Sequence, residues 1–156
     1  MKKLIIAATL SVCALPAWAE VSVSEAYVRA VPANQINSAA FMTLTNKGES
    51  DLALISATSS AAKTVELHTH QHDNGVMRMR RIDEIQLPAG EAVTLQPGGL
   101  HVMLIGLTQP LNPDQNVDLT LKFSDNSEEV LNVPVKSVVG MMPNKTPHAQ
   151  HHNTNQ

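Results

Sequence analysis

From Glu20 onward apolar and polar side chains alternate with a period of two, in short runs broken by Gly, Pro and Asn. Val21 and Val23 open the first run, which continues through residues 27–31 and stops at Pro32. Residues 39–45 form the next run and end at Asn46-Lys47-Gly48; Leu52, Leu54 and Ser56 then alternate with Ala53 and Ile55. Residues 65–68 begin a strand that residues 76–81 answer across Asn74-Gly75. Residues 92–95 and 100–107 flank Gln96-Pro97-Gly98-Gly99, and residues 117–123 and 129–138 flank a turn at 124–127. Side chains two apart on a strand share a face. Many short strands with this punctuation predict an all-β sandwich or barrel, and nothing in the pattern predicts a helix or an internal repeat.

Both ends depart from the pattern. Lys2 and Lys3, an apolar run over residues 4–15 and the small-residue site Ala17-Trp18-Ala19 predict a secretory signal peptide over residues 1–19, cleaved to leave Glu20 first. The run is shorter than the roughly 20 residues of a spanning helix, so no membrane anchor is expected. Cys13 follows Val12 rather than a small residue, which makes it a poor site for lipid attachment. Past Gly140 the chain loses its apolar content, and residues 141–156 read as a flexible tail. The intervening residues 20–140 are expected to form a single domain.

Loss of the leader changes the chemistry that remains. The mature chain of 137 residues is long enough for a core of its own. Without Lys2 and Lys3, nine basic residues face fourteen acidic ones, a formal charge of −5 with neutral histidines. Such a surface argues against nucleic acid or an anionic membrane as the main partner. Cys13 is the only cysteine, so the exported chain has no disulfide, no Cys-based zinc site and no thiolate for a blue-copper centre. In an oxidising compartment methionine still offers a soft sulfur donor without being drawn into disulfides, although it can oxidise to the sulfoxide.

The chemistry-bearing residues concentrate in residues 68–103, which hold four of the seven histidines and three of the seven methionines. Imidazole suits several transition metals, whereas thioether sulfur favours Cu(I). His68 is followed after ten residues by Met79, and after twenty-one more by His101-Val102-Met103. This spacing resembles the H-x10-M-x21-H-x-M signature of the PCu(A)C family of periplasmic copper chaperones. The flanks AAFMTLTNKGESDLALISATS, VELH and LPAGEAVTLQPGGLHVMLIGL are similar too, and the likeness spans roughly residues 20–140. The resemblance implies a cupredoxin-like Greek-key β-sandwich that holds Cu(I) through His68, Met79, His101 and Met103. It also implies delivery to cytochrome c oxidase at its dinuclear CuA centre, with the copper-site subunit of that oxidase, a Sco-type copper protein, or both as partners. The chain is expected to act as a monomer.

Asn74-Gly75 favours a two-residue type I′ hairpin. That register sets Asp73 against Val76, His72 against Met77, His70 against Met79 and His68 against Arg81. His68, His70 and His72 then share a face with Met77 and Met79. Hairpin geometry makes His70 the direct neighbour of Met79 and His68 its diagonal one, whereas the resemblance favours His68; His70 stands as an alternative or auxiliary ligand. Family members often carry methionine where His70 and His72 stand, a departure that suits Cu(II) as well as Cu(I). Met77 is a further candidate beside the turn, while Met42 reads as core. His148, His151 and His152, with Met141 and Met142, are a second candidate site by composition, with Cu(II) as its ion. Arg78, Arg80 and Arg81 suit either a docking patch for an acidic partner or a solvated strand face. A copper-sequestering, tolerance protein is the rival function. A copper enzyme is not expected, because no nucleophile or acid–base set is evident.

Overall fold

The computed structural model describes residues 20–73 and 75–137, and among them there is no helix. Ten strands follow in order: β1 (Val21–Arg29), β2 (Asn37–Asn46), β3 (Leu52–Thr58), β4 (Ala62–Asp73) and β5 (Val76–Ile82), then β6 (Ile85–Leu87), β7 (Ala92–Leu95), β8 (His101–Leu107), β9 (Asn116–Phe123) and β10 (Glu128–Lys136). The pairing order is β5-β4-β8-β2-β1-β10-β9-β3-β6, with β7 also on β2. The strands before and after the β1–β10 junction face each other across one core. Leu44, Leu67 and Val102 from the first half pack with Leu54, Leu119, Leu121 and Phe123 from the second. Parallel pairing of Val28 with Val135 and Arg29 with Lys136 joins the halves. The fold is the all-β, cupredoxin-like Greek-key sandwich that the alternation and the resemblance led one to expect.

Two details differ from the local pattern. The first strand ends at Arg29 rather than Val31, because Val31 instead makes an isolated bridge to Leu111. The three-residue β6 was not anticipated: Ile85-Gln86-Leu87 is too short to show alternation and becomes a strand by pairing with β3. Asn46 secures this region. It is fully buried, and its amide donates to the carbonyls of Ser50 and Leu87, both at 2.8 Å, while its oxygen accepts from Gly48 N at 2.9 Å.

Two features place the chemistry. β7 and β8 occupy successive stretches of one edge of β2: Thr45 to Met42 pair with Ala92 to Leu95, and Ala40 to Asn37 pair with Val102 to Ile105. The chain crosses from β7 to β8 through a tight turn closed by Gly99 N donating to Gln96 O at 3.0 Å. Pro97 and Gly98, the latter at φ 82°, suit the central positions of a type II turn. The second feature is the β4–β5 hairpin. Its inner part buries Leu67, whereas residues 76–81 are exposed on both faces, so this part of the hairpin extends past the core.

Candidate metal centre

The hairpin register is the one the two-residue loop requires, from Asp73↔Val76 through His70↔Met79 to Leu67↔Ile82. Gly75, at φ 82°, supplies the left-handed backbone such a loop needs; Asn74 lies outside the described residues. On its other edge β4 pairs with β8, setting His68 opposite His101 and Glu66 opposite Met103. Strand parity therefore places Glu66, His68, His70 and His72 on one face, with Met77 and Met79 on one side and His101 and Met103 on the other. Val102 and Leu104 point the opposite way and are fully buried. This parity is what lifts His101 and Met103 out of the core packing.

His101 is the buried member, 2% exposed. Its ring lies 5.7 Å from that of His68 and 5.1 Å from that of His70, between centroids, with Phe41 behind it at 6.2 Å. A cavity of about 220 Å³ opens beside it, lined by His70, Met79, His101 and Met103 together with Arg29 and Phe41. Three of the four motif residues thus line one cavity with His70, and His68 stands next to it against His101. Met42, read as core, is buried.

The hydrogen bonds fix which nitrogen each ring presents. His101 Nδ1 lies 3.0 Å from the carbonyl oxygen of Gly99, and a carbonyl only accepts, so Nδ1 carries the proton and Nε2 the lone pair. His68 Nε2 lies 2.8 Å from Glu66 Oε2, and a carboxylate only accepts, so Nε2 donates and Nδ1 keeps the lone pair. Those two free nitrogens, His68 Nδ1 and His101 Nε2, are buried with no hydrogen-bond partner. Each such orphan costs about 1–3 kcal/mol, which a bound ion recovers. Burial pushes the His101 imidazole below its ordinary 6.5, reinforced by His70, His68 and Arg29 and opposed by the bond to Gly99, so the neutral ligand form is favoured. Among the described residues no set of three His, Cys, Asp or Glu groups is arranged to hold a metal ion, and the further donors that line this cavity are the thioethers of Met79 and Met103.

Gly99 is a hub that residue types alone do not reveal. Its carbonyl also receives His70 N at 3.3 Å, with His70 Nδ1 at 3.4 Å, a longer and weaker contact than the one to His101. Glu66, held in turn by Arg81 at 3.8 Å, was likewise not singled out, although its position two before His68 signals a shared face. Phe41 reaches the cavity through the pairing of β2 with β8 and Arg29 through that of β1 with β2, and for neither does the local sequence carry a signal.

The remaining candidates lie apart. His72 and Met77 face each other farther out on the hairpin and do not line the cavity. Arg78 and Arg80 sit 3.6 and 3.7 Å from Asp73, as expected of a solvated strand face with its own counter-charge. The signal peptide, the tail and its Met141, Met142, His148, His151 and His152 lie outside the described residues.

Comparison with known proteins bears on the family and the fold. The LpqE-like lipoprotein family model matches residues 21–135. Lxx21020 of Leifsonia xyli subsp. xyli, named as a lipoprotein, is 39% identical over 125 residues, covering 80% of this chain and 74% of that protein. RP573 of Rickettsia prowazekii is 31% identical over 125 residues, 78% of this chain and 69% of its own. Cu(I)-bound DR1885 of Deinococcus radiodurans superposes with a TM-score of 0.62 at 35% identity, covering 82% of this chain and 83% of that one. The copper-bound PCuAC domain of PmoF2 shares the fold, with a TM-score of 0.65 at 23% identity over 78% of this chain and 96% of that domain.

Proposed function

Because the chain belongs to the LpqE-like family, within the PCu(A)C group of copper-binding domains, we propose that it is an exported copper chaperone carrying Cu(I) in the periplasm. One observation carries the reading: two buried imidazole nitrogens, each freed by a fixed tautomer and each without a partner, belong to neighbouring rings, and that of His101 lines a cavity with Met79 and Met103. We assign the ion to His68 Nδ1, His101 Nε2 and the thioethers of Met79 and Met103, with His70 as a wall of the cavity.

All four donors are neutral. A monovalent ion then brings one positive charge into a half-buried cavity beside Arg29, and a divalent ion would bring two. Charge and sulfur softness both favour Cu(I). Met79 is 46% exposed, which leaves one ligand where an acceptor can displace it. Transfer is a ligand exchange, so the protein needs no catalytic groups, and an acceptor offering thiolates draws the ion away. Such an acceptor is the CuA-bearing subunit of cytochrome c oxidase or a Sco-type protein. Relatives named as lipoproteins support export, and this chain's leader is the route we assign for it.

The test is an anaerobic titration of the mature protein with Cu(I) against a competing chelator, beside a Met79→Ala, Met103→Ala double variant. One tight Cu(I) is expected in the unaltered chain, with a far larger loss for Cu(I) than for Cu(II) in the variant. Equal losses for both ions refute the thioether assignment. In cells, loss of oxidase activity on deletion supports delivery, whereas copper-sensitive growth with normal oxidase activity indicates a buffering role instead.

A further inference from the structure

The outer hairpin repeats the chemistry of the inner site on its surface. Along β4 and β5 the shared face carries one imidazole–thioether rung at His70↔Met79 and a second at His72↔Met77. Successive rungs are two residues apart, about 6.6–6.8 Å along the strands. At the outer rung His72 Nδ1 lies 2.8 Å from Met77 Sδ; a thioether only accepts, so Nδ1 donates to it, and an ion taking this place moves the proton to Nε2 and leaves the ring neutral. Met77 is 49% exposed and has given up much of the burial that stabilises a methionine elsewhere, as at Met42. Neither residue lines the inner cavity.

We propose that His72 and Met77 form a second, weaker Cu(I) site, a surface station through which the ion enters and leaves the inner one. The inference rests on the reading of the inner site as a Cu(I) carrier. Two neutral donors on an exposed hairpin, one of them a soft thioether, hold the ion less tightly than four donors around a cavity, and they leave most of its coordination open to an incoming ligand. Movement inward passes the His70–Met79 rung and ends at His101. Each step exchanges one neutral donor for another; no electron is transferred and no group is formed or lost.

The experiment uses the mature protein and a His72→Ala, Met77→Ala double variant. In the unaltered chain a second equivalent of Cu(I) shifts the Met77 methyl resonance, after the first has shifted those of Met79 and Met103. In the variant the inner dissociation constant stays within about threefold, while stopped-flow transfer of Cu(I) to a chelator slows by about tenfold or more. A Met77 methyl unmoved by the second equivalent overturns the site, and a transfer rate within about twofold of the unaltered chain overturns its role in exchange. Absence of any tight Cu(I) in the unaltered chain refutes the carrier reading itself, whereas tight binding with unaltered exchange refutes only this inference.

Discussion

Glu66 offers the sharpest test of how His68 is oriented. Its carboxylate accepts from His68 Nε2 at 2.8 Å, and that bond alone decides that the buried Nδ1 carries the free lone pair. Replacing Glu66 with alanine releases the ring to rotate and to change tautomer. Removing the partner that orients a ligating imidazole lowers metal affinity by about 10- to 100-fold, roughly 1.4–2.7 kcal/mol. Arg81 also loses its contact, but at 3.8 Å and 67% exposed it adds little. Glu66→Gln keeps an acceptor without the charge, and since neutral hydrogen bonds are about half as strong, the loss should be smaller. The assay is anaerobic competition for Cu(I), with His68→Ala and His70→Ala measured alongside. Glu66→Ala should approach the loss of His68→Ala, and His70→Ala should fall well short of both. A Glu66→Ala protein within about twofold of the unaltered affinity, or a larger loss for His70→Ala than for His68→Ala, would refute the reasoning and make His70 the ligand.

Two further predictions concern the frame around the site. Gly98 holds φ 82°, so Gly98→Ala should destabilise the protein by about 1–2 kcal/mol and, by shifting the Gly99 carbonyl, weaken Cu(I) binding. Gly99→Ala, whose added carbon meets only ordinary contacts at 3.6 Å, should alter neither greatly; an unchanged affinity in folded Gly98→Ala would count against the carbonyl as the element that orients His101. Asn46→Ala strands the buried carbonyl of Leu87 and loses the bonds to Ser50 and Gly48, for about 2–3 kcal/mol in urea unfolding. A loss below about 1 kcal/mol would mean that water replaces the amide.

The sequence by itself determined the strands, the hairpin and the set of donor residues. Period-two alternation is a local property, so nine of the ten strands show in the order of residues, and the Asn74-Gly75 pair sets which histidine faces which methionine. Parity likewise separates His101 and Met103 from Val102 and Leu104 before any contact is known. The short β6 escaped because three residues cannot display a period. Tertiary structure alone decided the rest. That His68 lies against His101, that β7 and β8 share an edge of β2 and bring the Gly99 carbonyl beneath both His70 and His101, and that Arg29 and Phe41 wall the cavity all depend on pairings between distant strands. Such pairings are selected by the packing of the whole core rather than by neighbours in the chain. For that reason the donor types could be read from the sequence, whereas the nitrogen each ring presents emerged only with the fold.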